Sequence, residues 1–238
     1  MRSIPDISVV ILCYKAGDFV PKFVARIKKV LEARNLSYEL VLVANFNKNE
    51  RFSDSTPAIA VNLASHDPTL TVVAKEKEGM MGWDMRSGLE VASGNTIAVI
   101  DGDGQILPED VIGVYNALKS GNFDMAKTYR EKRYDGLVRL IISRIYNFLL
   151  KLLFPKVRVH DANSKPKIYT RDAYEKLHLT SNDWFIDAEM IIQASDLNFR
   201  IVEVPTVFYN NPIRPSFIRS KAILQFIKSL IIYRLKHL

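Results

Sequence analysis

The feature that most constrains this chain is a run near its start, Ile7-Ser8-Val9-Val10-Ile11-Leu12-Cys13, apolar at every position except Ser8. A strand alternates its side chains between two faces, so a run without polar alternation must be covered on both. Glu39-Leu40-Val41-Leu42-Val43-Ala44 and Thr96-Ile97-Ala98-Val99-Ile100 repeat the pattern, and Thr71-Val72-Val73-Ala74 and Asp124-Met125-Ala126-Lys127 are shorter versions. Helical periods lie between them. Phe19, Phe23, Ile27, Val30 and Leu31 share one helix face, and an apolar-periodic stretch follows near 57–64. A helix from about Trp83 to Ala92 stops at Ser93-Gly94, and another follows Pro108-Glu109-Asp110. Doubly covered strands alternating with helices predict an α/β, Rossmann-like, mostly parallel sheet flanked by helices. Its ligand crevice lies at the carboxyl ends of the strands.

The second half is mixed. It predicts an amphipathic helix near 137–154, a strand at Lys167-Ile168-Tyr169, a helix from about Asp187 to Ala194, a strand at Arg200–Val204 and a C-terminal helix over about 217–235. No linker, repeat or low-complexity tract divides the chain. Residues 1–216 are therefore expected to form one domain, and 217–238 a basic amphipathic helix that contacts a membrane or a partner.

Several function classes drop out. No G-x-G-x-x-G follows the first strand and no Walker lysine motif is present, which argues against dinucleotide oxidoreductases and P-loop ATPases. The single cysteine, Cys13, excludes an intramolecular disulfide or a cysteine zinc cluster and points to a reducing compartment. None of His66, His160, His178 and His237 stands in a triad-like setting. The formal charge of +7 favours anionic partners, and its excess concentrates in residues 127–158 and 214–238. These basic residues sit among aliphatic rather than stacking aromatic side chains, so no nucleic acid partner is expected. No segment reaches the ~18–20 uninterrupted apolar residues of a membrane span. Met1–Asp6 lacks the pattern of a secretory leader. A soluble or peripheral protein is expected.

Asp101-Gly102-Asp103-Gly104-Gln105 follows the fourth apolar strand directly. In an extended segment residues i, i+2 and i+4 point to one side, so three oxygen-bearing side chains face one point. Two readings compete: a polar turn capping the next helix, or a Mg²⁺ or Mn²⁺ site shared with a diphosphate.

The run Gly82–Asn95, Ile97–Ile100 and Asp101–Glu109 resembles family 2 glycosyltransferases of the GT-A fold. Later segments resemble the dolichyl-phosphate mannosyltransferase, or polyprenyl-phosphate glycosyltransferase, branch. They are Tyr129-Arg130, Asp135-Gly136, Arg139–Leu149, Asp161–Tyr169, Trp184–Glu189 and Arg200–Pro205, in order over most of residues 7–220. The resemblance implies sugar transfer from a UDP- or GDP-linked nucleotide-sugar to a dolichyl or undecaprenyl phosphate. Mg²⁺ or Mn²⁺ would be held by Asp101, Asp103 and Gln105. It also implies acceptor-phosphate contacts from Arg130, Arg139 and Ser143, with Arg133 as an alternative to Arg130. The reaction would centre on Asp101, Asp103 and Arg139. Tyr14, Asn45, Arg214 and Lys221 would bind the donor, and Asp161, Asn163, Asp187 and Glu189 would line the sugar pocket. The expected location is the cytoplasmic face of a membrane, reached directly or through a separate membrane-anchoring subunit.

The chain departs from that pattern where relatives bind the nucleotide. Leu12-Cys13-Tyr14-Lys15-Ala16 stands for Pro-Thr-Tyr-Asn-Glu, Ala44-Asn45-Phe46-Asn47-Lys48 for a segment with Asp-Asp-Gly-Ser, and Asp84 for a small apolar residue. These losses favour an alternative, a catalytically silent homologue acting as a binding or regulatory subunit. The retained Asp101, Asp103, Arg139 and Ser143 oppose it.

Overall fold

The structure is a computed structural model. It describes residues 4–50, 53–210 and 220–236, the last stretch by backbone alone before residue 225. In chain order the elements are β1 (Ile7–Leu12), α1 (Phe19–Glu32), β2 (Tyr38–Val43), α2 (Thr56–Ser65), β3 (Leu70–Val73), α3 (Met81–Leu89), β4 (Thr96–Asp101), α4 (Glu109–Lys119), β5 (Met125–Arg133), α5 (Leu137–Leu153), β6 (Lys167–Thr170), α6 (Arg171–Tyr174), α7 (Ile186–Asp196), β7 (Ile201–Phe208) and α8 (Ser220–Lys236).

Seven strands form one sheet in the order β3-β2-β1-β4-β6-β5-β7. The strands read as doubly buried occupy its centre. Ile7, Val9 and Ile11 of β1 pack with α1, α2 and α4 on one face, while Val10 and Leu12 pack with α3, α5 and α7 on the other. Burying each such side chain contributes about 1.5–3 kcal/mol, which is why two helical layers must cover the sheet. At Gly88 of α3 an added Cβ would lie 2.4 Å from the Val43 side chain and 2.5 Å from that of Val10, so this helix lies almost on the sheet.

Two features go beyond the expected pattern. β6 runs antiparallel to both β4 and β5, so the sheet is parallel except at this strand. β5 extends to Arg133 rather than stopping at Lys127, because β7 pairs in parallel along its polar second half.

The expected boundary at 216/217 lies outside the described residues. The C-terminal helix itself joins the core. Leu230 is fully buried, and Phe226 and Tyr233 meet Tyr146, Phe154 and Phe185 with ring centroids 5.1–6.1 Å apart.

Candidate active site

Asp101 is the last residue of β4 and stands beside Leu12 in the parallel register with β1. The Gly102 amide donates to the Leu12 carbonyl at 2.9 Å, which carries the chain out of the sheet. Asp103 Oδ1 accepts from the Gln105 amide at 3.1 Å, and Gln105 Nε2 donates to the Tyr209 carbonyl at 3.1 Å. Gly104 supplies the turn with φ of +74°, and a Cβ there would strike the Phe19 ring at 2.6 Å. Asp101, Asp103 and Gln105 thus sit on one tight turn at the carboxyl end of β4. Their donor set is oxygen only, which suits a hard divalent ion. Among the described residues no three His, Cys, Asp or Glu side chains gather to enclose an ion. A cation here would therefore take its further ligands from substrate or water.

Behind this turn lies a buried chain of charges that the strand pattern did not announce. Lys127 and Lys167 are register partners on β5 and β6. Asp187, in the first turn of α7, bonds Lys167, and Lys165 Nζ lies 2.9 Å from Asp187 Oδ2 and 3.5 Å from Asp101 Oδ2. Lys127 Nζ donates to the Thr128 and Asp161 carbonyls at 2.5 Å each and reaches Glu203 at 3.2 Å. Charges buried this deeply persist only when paired and hydrogen-bonded. Burial raises the Asp187 carboxyl, but Lys165 and Lys167 outweigh it and hold the group below the ordinary carboxylate range. Burial also pushes the phenols of Tyr146 and Tyr169 up, with the Asp187 charge adding to it. Both hydroxyls, and Asn163 Oδ1, are buried without a partner.

The residues expected at the acceptor phosphate divide into two kinds. Arg139, on the first turn of α5, has 40% of its side chain exposed and lies 3.9 Å from Asp135 Oδ2. Ser143 follows one turn later, and Asn147 ties this stripe to the 161–164 loop by donating to the Ser143 carbonyl and accepting from the Ala162 amide. Arg130 is committed elsewhere: it grips Asp161 through two bonds of 2.5 and 2.8 Å. Arg133 is held in the same way by Asp135 at 3.0 and 2.7 Å.

Three residues expected at the sugar pocket and one expected at the donor are engaged within the protein. Asp161 and Asp187 pair their carboxylates with the buried cations Arg130, Lys165 and Lys167. Glu189 accepts from the Thr180 and Ser181 amides and the Thr180 hydroxyl, so it fixes the loop before α7. Asn45 is wholly buried: its amide donates to Asp84 and Ser87 at 3.0 Å and accepts from the Lys75 amide at 2.9 Å. Both polar atoms of its side chain are thus engaged inside the protein. The same network accounts for Asp84, which pairs with Lys77; burial pushes its carboxyl up against the pull of that lysine.

Tyr14 does stand at the strand ends. Its hydroxyl donates to Glu50 Oε2 at 2.9 Å and accepts from Asn47 at 2.8 Å, and Lys77 Nζ lies 4.0 Å from its ring centroid. Glu50 was not singled out in the sequence. It arrives on a three-residue 3-10 turn, Lys48–Glu50, so an acid reaches the end of β1 from a different segment. Arg214 and the side chain of Lys221 lie outside the described residues.

A mostly parallel sheet with two carboxylates at one strand end and a buried network of paired charges behind them defines an α/β domain whose polar groups gather at the carboxyl ends of its strands. Residues 8–178 match the profile of Glycosyl transferase family 2, and the chain belongs to that family. It is 29% identical over 158 residues to glycosyltransferase AglD of Haloferax volcanii, covering 64% of this chain and 25% of that protein. It is 26% identical over 179 residues to the dodecaprenyl-phosphate galacturonate synthase of Rhizobium johnstonii, covering 73% and 50%. The undecaprenyl-phosphate 4-deoxy-4-formamido-L-arabinose transferase of Yersinia pestis is 25% identical over 186 residues, covering 77% and 54%. The chain thus spans between a quarter and about half of the length of these relatives. Among solved structures, glucosyl-3-phosphoglycerate synthase from Mycobacterium tuberculosis with UDP superposes with a TM-score of 0.72 at 18% identity, covering 97% of this chain and 80% of that chain. The same enzyme with Mn²⁺, UDP and glucosyl-3-phosphoglycerate gives 0.72 at 17% identity, covering 97% and 80%. The fold is GT-A.

Proposed function

We propose that this chain moves a sugar from a UDP- or GDP-linked donor to a polyprenyl phosphate. The observation that carries this reading is the placement of the Asp101–Gln105 turn at a strand end together with an accessible arginine, Arg139, on a helix whose outer face is apolar. Relatives named for dodecaprenyl and undecaprenyl phosphate, and a structural neighbour solved with UDP and Mn²⁺, support it.

In this reading Asp101, Asp103 and the Gln105 amide oxygen hold Mg²⁺ or Mn²⁺. The ion, when bound, offsets charge gathering on the departing diphosphate. Arg139 and Ser143 hold the acceptor phosphate. A phosphomonoester is already ionised near neutral pH, so it requires alignment with the anomeric carbon more than a strong base. Arg130 and Asp161 brace the 161–164 loop, which carries the unpartnered Asn163 oxygen. Tyr14 and Glu50 stand where the donor's nucleoside would lie, and Arg214 and Lys221 are assigned to its diphosphate.

The test is nucleoside diphosphate release from a panel of UDP- and GDP-sugars, with Mg²⁺ or Mn²⁺, with and without a short polyprenyl phosphate. Acceptor-dependent release supports the reading. The burial of Asn45, where relatives carry an acid, favours the silent-subunit alternative, and absence of release with every donor would select it.

A first prediction follows for Arg139→Ala. A charge-assisted hydrogen bond contributes about 1.5–3 kcal/mol, so the KM for polyprenyl phosphate should rise about 10- to 100-fold while donor binding holds. Steady-state kinetics varying each substrate separately checks this. An equal loss on both sides would place Arg139 at the donor.

The second concerns the membrane. On α5 Leu137, Val138, Ile141, Ile145, Phe148 and Leu152 are 52–77% exposed and recur at helical spacing, and only Tyr146, Asn147 and Leu150 are buried. Arg139, Arg144 and Lys151 are its only charges. On α8 Ile231, Ile232 and Leu235 are exposed beside basic residues, and neither helix contains an acid. No described helix is long and apolar enough to cross a membrane. An apolar face with a purely basic fringe fits an anionic bilayer surface, here assigned to the cytoplasmic face. Salt-sensitive co-sedimentation with phosphatidylglycerol vesicles is expected. Replacing Ile141 and Phe148 with Asp should weaken it at least about tenfold, since each buried apolar side chain contributes about 1.5–3 kcal/mol. No pelleting of the folded protein at low salt would mean that a membrane-anchoring subunit brings it there.

A further inference from the structure

We infer that Lys165 is a positioning residue that shares Asp101 with the divalent ion, so that the ion enters together with the donor diphosphate rather than ahead of it. This rests on the assignment of Asp101 and Asp103 as cation ligands. Lys165 precedes β6, and its side chain is 3% exposed. Its ammonium lies between Asp187 Oδ2 at 2.9 Å and Asp101 Oδ2 at 3.5 Å, with Met81 Sδ at 3.6 Å. Asp187 already has a buried cation of its own in Lys167. Lys165 is therefore the surplus charge of the pair, and the remaining carboxylate within its reach is Asp101.

Two lysines and two aspartates make a neutral set before any ion arrives. A divalent ion adds two charges beside a fixed ammonium, and Asp103 is the only other carboxylate on the turn to answer them. A diphosphate reverses that balance, because its negative charge is attracted by the ion and by Lys165 alike. The buried ammonium thus disfavours the ion alone and favours the ion–diphosphate complex.

The experiment measures Mn²⁺ binding by the paramagnetic resonance signal of the free ion, first with Mn²⁺ alone and then with UDP or GDP. Lys165→Gln removes the charge and leaves Asp187 paired with Lys167; Lys165→Met reads the same quantity should the Gln variant not fold. Either should bind Mn²⁺ alone at least about tenfold more tightly than the parent, with a smaller gain once the diphosphate is present. Lys165→Arg should behave as the parent. A merely structural role would lower Mn²⁺ affinity on mutation, not raise it. Asp103→Asn is the control on the underlying assignment and should abolish binding in the parent and in the Lys165 variants. If Asp103→Asn abolishes binding but the neutral variants bind Mn²⁺ alone no better than the parent, the role of Lys165 is overturned while the cation site stands. If binding ignores Asp103→Asn, or no variant binds Mn²⁺ with or without diphosphate, the cation site falls and the inference with it.

Discussion

An Asp103→Asn protein should transfer sugar at least about 100-fold more slowly than its parent while remaining folded at the assay temperature. Asn retains the side-chain oxygen that accepts from the Gln105 amide, so the turn after β4 keeps its hydrogen bond. What is lost is one negative charge at the place assigned to the cation on the leaving diphosphate. Without that charge the ion that would offset the leaving diphosphate is not held, so the loss should persist at saturating donor and acceptor. Initial rates at saturating donor and acceptor, with a thermal melt of the same sample, measure both quantities. A rate within threefold of the parent would remove Asp103 from the chemistry.

The largest effect on stability is expected from Asp187→Ala. The substitution leaves Lys165 and Lys167 buried with their shared anion gone. Breaking a buried pair from one side costs about 3–5 kcal/mol, which for a domain of this size lowers Tm by on the order of 10 °C. Adding Lys167→Met to that variant removes one stranded charge and should recover a large part of the loss. Asp187 and Asp161 also set an acid limit. Both carboxyls are held below their ordinary value of 3.8, burial opposing and the neighbouring cations prevailing. Their contribution is therefore complete above about pH 4 and is lost as pH falls through the lower folded values. Circular dichroism melts at pH 7 and along an acid series test this. A Tm change of less than 2 °C for Asp187→Ala at pH 7 would contradict the buried network.

The layers of the fold were legible because β1, β2 and β4 are apolar on both faces, and few other structures accept such strands. The second half of β5 was not, since Tyr129–Arg133 has no apolar pattern and becomes a strand only because β7 pairs along it. The place of Asp101–Gln105 after a buried strand was legible, but its spacing was read on an extended segment, and the chain turns there instead, with Gly104 at φ of +74°. The charge network behind it was not legible. Lys127, Lys165 and Lys167 count toward the +7 that reads as an anion-attracting surface, yet all three are buried. Their charged partners come from residues 20 to 76 positions away, a distance that no local pattern reports. Asn45 and Asp84 are departures from the family that explain each other only when seen bonded. On α5 the periodicity separated a polar stripe from an apolar majority, and the packing turned most of that majority outward.

Product analysis tests the identity of the acceptor most directly. The protein is incubated with UDP- and GDP-sugars, Mn²⁺, a short polyprenyl phosphate and, in competition, 3-phosphoglycerate, and both the organic and the aqueous phases are examined by mass spectrometry. Polyprenyl phosphate heavier by one glycosyl unit is expected in the organic phase, and is absent with Asp103→Asn. Sugar found only on the soluble phosphorylated acceptor, or no product from any donor, would contradict it.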